Sequence, residues 1–241
     1  MKKTIVLILN VLIVIFTIIG VTVMVARNGG MFTAAGWDNL KYFTVLSNIF
    51  CGIVAAVYLV KAIRHMVIAR NRHSRNVIEG NTDKHGNYTC DNGVQQSFAR
   101  EGMMAVKLMS ATAVAVTFLM IAGFFGPLYG WSKLYQGSNF WFHLVIPVLA
   151  MTEFVLLKGR IRFGVTVSAM IPALVYGVFY LVNNLVNGTG EWPDTNDWYG
   201  FLNWGLPVGI VIFFGVAAVS FAAACVMRFV NLKINRGTDR K

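Results

Sequence analysis

Three observations predict that this chain is an all-α membrane protein with six transmembrane helices. Of its 241 residues, 56% are hydrophobic and only 13% are charged, whereas about a quarter of the residues in a soluble domain are charged. Apolar runs of about 20 residues, the length that crosses a bilayer as a helix, recur along the whole chain. The basic residues lie in alternate loops between these runs, which is a signal of membrane topology. We therefore expect a single integral membrane domain over residues 1–241.

The first helix is predicted at about residues 4–25, directly after a short cationic start. Signal peptides also begin in this way, but this apolar run is too long for one and no small-residue cleavage pattern follows it. A glycine-containing loop, 27–40, leads to the second helix at about 41–62. Asp38, just before that helix, is the predicted N-cap.

The longest polar segment, 63–102, is predicted to be a basic cytoplasmic loop. Its middle part, 79–96, is rich in Asn, Gly, Asp and Thr, a composition that is typical of mobile loops. The second helix is able to continue beyond the membrane through Arg72 as a basic extension. The third helix is predicted at about 104–125, where a Gly-Pro pair ends it.

The last three helices follow one another closely, separated by short polar or basic segments. They are predicted at about residues 139–157, 163–186 and 200–227. An outer loop with acidic and aromatic residues, 187–199, precedes the sixth helix, and a basic cytoplasmic tail, 228–241, follows it.

The distribution of positive charge predicts that both termini are cytoplasmic. Only Arg27, Lys41 and Lys133 fall in or beside the outer loops, which leaves 18 of the 21 basic residues on the inner side. The net charge of +11 therefore reflects topology, with membrane lipids as partners. Nucleic-acid binding is not expected, because no basic patch is interleaved with aromatic residues.

The cysteines give no sign of a metal centre or a disulfide framework. Cys51, Cys90 and Cys225 are far apart in the sequence, and no metal-ligand spacing is present. We therefore expect no metal and no other cofactor. The sequence makes no prediction about oligomeric partners.

A polar stripe on the second helix is the strongest indication of a functional site. Thr44, Ser47 and Asn48 share one helical face among large apolar side chains, and Cys51 lies one turn further along. Lipid cannot satisfy polar groups, so this face must point into the protein or towards water.

Further polar residues fall at the same predicted depth in the outer leaflet. His143 lies early in the fourth helix, and an ionisable residue within a span is a functional candidate. A neutral imidazole near a threonine hydroxyl can act as its general base. The fifth and sixth helices add Tyr176, Tyr180, Asn183, Asn184, Asn187, Asn203 and Trp204.

Each of these residues also has a purely structural interpretation. A threonine or serine in a membrane helix usually bonds to the carbonyl four residues earlier, and asparagines often cap helices or bond between them. His143 follows Trp141, so it is also compatible with an interfacial position. Nearer the inner side, Glu153 is expected to pair with Arg160 or Arg162 or to reach the interface, and Lys107 to extend its ammonium towards water.

Several short motifs together resemble a known family. They are Tyr42-Phe43-Thr44 with Ser47-Asn48, His143 followed by Pro147, Pro172 followed by Tyr176, and the polar, aromatic loop before the sixth helix. From about Asp38 to the end of the sixth helix, the chain resembles the androgen-induced-protein family, which includes the androgen-dependent TFPI-regulating protein. It looks like a remote, bacterial-type member, because the inner loop around Asn81–Gln96 departs from the compact animal pattern.

This resemblance implies a multipass threonine hydrolase acting on fatty-acyl esters, since characterised animal members cleave fatty acid esters of hydroxy fatty acids. Thr44 then takes the position of the nucleophile and His143 that of the base. Ser47, Asn48 or an asparagine of the fifth helix would donate to the oxyanion. No Asp is evident beside His143, so a dyad is expected and not a triad.

Two non-enzymatic interpretations compete with the hydrolase. The same outer polar pocket would suit a small-molecule or lipid carrier or binding protein, in which His143 serves as a proton-linked gate. No internal repeat supports a secondary transporter. A structural role as an accessory subunit is the third alternative.

Overall fold

The structure confirms an all-helical protein with six helices that are long and apolar enough to cross a membrane. The computed structural model describes residues 2–31, 33–78, 90–159, 161–191 and 195–236. Within these ranges the regular structure is helical, and no strand occurs. The predicted mobile segment 79–96 is helical from Cys90 onwards, and the predicted tail 228–241 is helical through Arg236. Residues 79–89 and 237–241 lie outside the described residues.

The six long helices are labelled α1 to α6. They comprise α1 (Lys2–Arg27), α2 (Phe43–Ile78), α3 (90–129), α4 (Ser138–Leu156), α5 (Phe163–Asn187) and α6 (Leu206–Arg236). Short helical turns, Ala34–Trp37, Asp38–Lys41 and Trp131–Leu134, lie in the connections.

The predicted polar segment 63–102 is helical at both of its ends: the second helix does continue through Arg72, and the third begins well before residue 104. Helix α2 continues through Ile78, and α3 begins at Cys90. No proline interrupts either extension, so the polar residues lengthen the helices beyond their apolar windows. Apolarity marks the part of a helix within the membrane and not the end of the helix itself.

The sixth helix begins later than predicted, at Leu206 and not at residue 200. Gly200 and Gly205 have φ values of 67° and 88°, in the left-handed region that glycine adopts readily. Pro207 then occupies the first turn of the helix, where its missing N–H costs nothing. Asn203 and Trp204 therefore precede α6 and do not open it.

Two prolines explain two irregular turns. Pro127 and Pro147 cannot donate to the carbonyl four residues earlier, and their rings crowd that carbonyl. The structure has a π-helical turn at Ile121–Phe125 and another at Trp141–Val145. Each turn ends with a bond to the fifth residue back, since Ile146 N donates to Trp141 O in the second turn. A proline thus inserts one extra residue into each helix.

Helix α3 is the central helix of the bundle. Its most apolar window is 56% buried, compared with 22% for α5 and for α6. Small residues bring α1 close to its neighbours: a Cβ on Gly52 of α2 would lie 2.7 Å from the Thr17 methyl. Close approach at small residues is a common basis of helix packing in membranes.

A buried ionic cluster connects α1, α3 and α4 in the half of the bundle where α1 begins and α6 ends. Lys107 Nζ lies 3.3 Å from Glu153 Oε2, and the two side chains are 3% and 2% exposed. Asn10 Nδ2 donates to Glu153 Oε1 at 2.9 Å, and Lys107 Nζ donates to Asn10 Oδ1. The ammonium also lies 5.0 Å from the centre of the Tyr58 ring.

This cluster corrects two sequence predictions. Glu153 pairs with Lys107, and the ion pair within the described residues that involves Arg162 joins it to Glu101. Arg160 lies outside the described residues. Lys107 does not extend towards water, because a carboxylate on the neighbouring helix satisfies its charge within the bundle. Predictions from one helix at a time could not match partners on α3 and α4.

Helix α6 satisfies the carbonyl groups that the end of α4 leaves free. Asn231 Nδ2 lies 2.9 Å from Phe154 O and 2.8 Å from Leu157 O. Asn235 Nδ2 donates to Leu157 O at 3.0 Å. The last carbonyls of a helix have no partner within it, so these asparagines fix α6 against α4.

Removing one partner of the buried ion pair is expected to destabilise the protein more than removing both. Lys107→Met or Glu153→Leu leaves one uncompensated buried charge, at a cost of about 3 kcal/mol, whereas the double variant leaves none. Thermal melts of the purified protein in one detergent check this. A double variant that melts no higher than both single variants would contradict it.

Candidate functional site

A cavity of about 940 Å³ opens at the end of the bundle opposite the ionic cluster. It lies where α1, α3 and α5 end and where α2, α4 and α6 begin. All six helices or the segments next to them contribute to its wall, together with the segment before α6. The volume is within the range of small-molecule sites, about 300–1,000 Å³.

Thr44 lines this cavity from the first turn of α2. Tyr42, just before the helix, is extended with φ −83° and ψ 133°. The carbonyl four residues before Thr44 therefore lies outside the helix, and Thr44 Oγ1 makes no hydrogen bond with any described residue. Asp38 is not the N-cap of α2, since it lies in a separate 3₁₀ turn, paired with Lys41 at 3.1 Å.

Aromatic residues hold the start of α2 in place. Phe43 N donates to Tyr199 Oη at 2.8 Å. Tyr176 Oη donates to Lys41 O at 2.6 Å and accepts from Trp198 Nε1 at 2.9 Å. Burial raises the pKa of Tyr199 well above its ordinary value, so this phenol stays neutral at physiological pH. Tyr199 of the segment before α6 and Tyr176 of α5 thereby fix the backbone on the two sides of Tyr42.

Ser47 and Asn48 lie one turn further along α2 and are not among the residues that line the cavity. Asn48 Nδ2 donates to Thr44 O at 2.7 Å and to Phe142 O at 3.0 Å. Ser47 Oγ lies 3.1 Å from Thr44 O and 3.2 Å from Thr117 Oγ1. The Asn48 amide thus holds the backbones of Thr44 and Phe142 side by side.

His143 lines the same cavity from the π-helical turn of α4 and is 6% exposed. Its Nδ1 lies 2.6 Å from Leu134 O. A carbonyl can only accept, so Nδ1 carries the hydrogen, and in the neutral ring Nε2 is the free acceptor. The ring of Tyr135 meets the imidazole edge-on at 6.5 Å. The loop before α4 therefore fixes both the tautomer and the orientation of His143.

The structure divides the other predicted site residues into two groups. Tyr176, Tyr180 and Asn203 line the cavity with Thr44 and His143. Tyr180 Oη donates to Asp197 Oδ1, so both tyrosine hydroxyls already have partners.

Asn183 and Asn184 are not among the lining residues. Asn184 Nδ2 donates to Tyr180 O at 2.9 Å and to Asn196 O at 3.1 Å, and Asn183 Oδ1 accepts from Asn187. Asn183 thus makes its contact within α5, and Asn184 makes contacts within α5 and to the following segment. Their predicted role as donors to an oxyanion stays a prediction.

The cavity also has polar lining residues that the sequence analysis did not select. Among the described residues Arg27 and Lys133 have no acidic partner, whereas Asp197 accepts from Tyr180 and from Leu202 N. Asn139 precedes His143 by four residues, one helical turn, which was a usable signal. The remaining polar lining residues lie at helix ends or in connections and gave no such signal in the sequence, because only the fold brings them to the cavity. They are Arg27, Asn28, Lys133, Gln136 and Asp197.

The described residues hold no group of three or more His, Cys, Asp or Glu side chains that could bind a metal.

Comparisons with protein-family models, curated proteins and solved structures found no match to this chain.

Asn48→Ala is expected to lower the free energy of unfolding by about 1–2 kcal/mol, because it removes two hydrogen bonds, one of which joins α2 to Phe142 O of α4. Asn187→Ala is a matched control, since the exposed Asn187 bonds only to Asn183 among the described residues. Thermal melts in detergent compare the two variants. An equal, small shift in both would contradict a bridging role for Asn48.

Proposed function

We propose that this protein is an intramembrane hydrolase of fatty-acyl esters, with Thr44 as nucleophile and His143 as general base. One observation carries the proposal: a threonine hydroxyl without a hydrogen-bond partner and a histidine with a free Nε2 line one cavity. The resemblance of the surrounding motifs to the androgen-induced-protein family supports the same assignment.

The reaction follows from the chemistry of these two groups. Thr44 Oγ1 attacks the ester carbonyl while His143 Nε2 accepts its proton, because a threonine hydroxyl needs an adjacent base at neutral pH. The imidazolium then protonates the departing alkoxide, which leaves an acyl-threonine. Water, deprotonated by the same nitrogen, attacks that acyl group and releases the fatty acid and the free threonine.

A dyad fits the surroundings of His143 better than a triad. Nδ1 donates to the carbonyl of Leu134, where a triad would have a carboxylate. A carbonyl orients the ring and fixes the tautomer but provides less stabilisation of an imidazolium than a carboxylate does. We therefore expect moderate turnover.

Stabilisation of the oxyanion would come from donors at the cavity wall. Asn203 lines the cavity, and the first turn of α2 provides the positive end of a helix dipole beside Thr44. Ser47 and Asn48 could take this role only by giving up bonds to Thr44 O, Phe142 O or Thr117.

The membrane orientation that we propose places both termini in the cytoplasm and the cavity in the outer leaflet of the cell membrane. The asymmetry of basic residues supports it, since 18 of 21 fall on the side of the termini. Membrane lipids are then the surrounding phase and the source of the substrate.

A lipid-binding or carrier protein is the second candidate. The size of the cavity favours binding of an amphiphile whether or not it is cleaved, and so do its cations Arg27 and Lys133, which have no acidic partner among the described residues. A fluorophosphonate probe that reacts covalently with activated hydroxyl nucleophiles separates the candidates, because a binding protein would not be labelled at Thr44.

Thr44→Ala and His143→Ala are each expected to lower hydrolysis of a fluorogenic long-chain ester by at least about 10³, with the double variant little worse. Thr44→Ser should keep part of the activity, since the hydroxyl remains. The assay uses purified protein in liposomes, with thermal melts in parallel.

Thr152→Ala and His65→Ala are the matched controls for these variants. Thr152 Oγ1 bonds to Val148 O at 2.7 Å, and neither control residue lines the cavity. Both controls should keep full activity. A Thr44→Ala protein with unchanged turnover and a normal melt would refute the hydrolase and favour the binding protein.

The orientation predicts opposite labelling of two engineered cysteines in a protein without its native cysteines. Thr189→Cys, exposed in the segment before α6, should react with an impermeant maleimide in intact cells. Arg236→Cys, at the end of α6, should react only after permeabilisation. The reverse pattern would move the cavity to the inner leaflet.

A further inference from the structure

A second, smaller cavity adjoins the first on the lipid-facing side of the bundle. It measures about 440 Å³ and lies between α3 and α6, lined by Leu119, Met120, Gly123, Phe124, Val219 and Ala222. All six residues are apolar, and we call this cavity the α3–α6 groove. Met120 lines both the groove and the main cavity.

We propose that the α3–α6 groove is the acyl-chain subsite of the protein and that Met120 is the gate between this groove and the main cavity. The proposal rests on the proposed function only in taking a fatty-acyl ester as the ligand. A bound acyl chain would pass Met120 and lie between α3 and α6, with its ester group beside Thr44 and His143.

The distribution of polar residues around the main cavity indicates this direction. Its two cations, Arg27 and Lys133, lie at the end of α1 and in the turn before α4. Four of its amides lie between α1 and α2 or around the start of α4, namely Asn28, Asn39, Gln136 and Asn139, and the fifth, Asn203, lies in the segment before α6. Below the mouth, the wall formed by α3 and α6 is lined by Val116, Val216 and Ala217, and by Thr117, whose hydroxyl is already bonded to Ala113 O. An amphiphile therefore has its apolar part directed towards α3 and α6, because burying that part there releases it from water.

Two features suit Met120 to act as a gate. Methionine is unbranched and flexible, so its side chain can change position without disturbing its neighbours. Met120 also directly precedes the π-helical turn at Ile121–Phe125, and such turns interrupt the regular hydrogen bonding of a helix. The side chain is half-buried, between the two cavities that it lines.

The first experiment maps the acyl chain without requiring catalysis. A C16 ester carrying a diazirine near its methyl end is photolysed with Thr44→Ala protein in liposomes, and the labelled residues are identified by mass spectrometry. Label is expected at the groove, on Leu119, Phe124, Val219 or Ala222. Label confined to the α5–α6 contact, where the Phe213 ring lies against Gly177, would overturn the proposal.

The second experiment changes the gate. Met120→Trp should decrease groove labelling and lower turnover of a C16 ester relative to a C4 ester by about tenfold or more, since an apolar pocket discriminates steeply by size. Met120→Ala should retain both. Val211→Trp is the matched control, because Val211 is 69% exposed and lines neither cavity. Unchanged labelling in Met120→Trp would contradict a gate at this residue.

The two proposals fail in different ways. Groove labelling without turnover in the wild-type protein would reject the hydrolase and keep the acyl subsite. Turnover without groove labelling would keep the hydrolase and reject the subsite.

Discussion

The absence of water from a lipid bilayer is the constraint on which the rest of this structure depends. A polar group within the bilayer must find its partner in the protein. Lys107, Glu153 and Asn10 do so by forming a neutral cluster from three helices. Asn231 does so by bonding to the free carbonyls at the end of α4. These contacts join α1, α3 and α4 and hold α6 against the end of α4, whereas Asn48, which donates to Phe142 O, joins the start of α2 to the start of α4.

A proline changes the hydrogen bonding of α4 at the part of this helix that lines the cavity. Pro147 cannot donate to the carbonyl of His143, and the helix adapts by inserting one residue, with Ile146 N bonded to Trp141 O. The insertion rotates the preceding residues relative to the rest of α4, and His143 lies within it. Local departures of this kind are often associated with functional sites. The position of the imidazole at the cavity is therefore a consequence of a residue four positions later.

The sequence was sufficient for features that depend on one helix and insufficient for those that depend on two. Apolar length predicted the six spans, and helical periodicity predicted the polar face of α2. The sequence could not show that Glu153 pairs with Lys107, because this pairing depends on which face of α4 meets α3. The sequence analysis selected His143 and Thr44. It could not find Arg27 or Lys133, since only the fold brings the end of α1 and the turn before α4 to the cavity. The predicted helix ends were wrong where glycines delay the start of a helix or where helical sequence continues beyond the apolar residues.

A comparison among the threonines shows why Thr44 is the residue most available to a ligand. Thr17 and Thr152 bond to the carbonyl four residues earlier, at 2.8 and 2.7 Å, as membrane threonines usually do. Thr112 and Thr166 lack partners but are fully buried and line neither cavity. Thr44 alone among these five combines a free hydroxyl with a place in the cavity wall, because the extended backbone at Tyr42 removes the usual acceptor. A hydroxyl left unpaired there is available to whatever occupies the cavity, so the proposed hydrolysis and the alternative binding function would both depend on it.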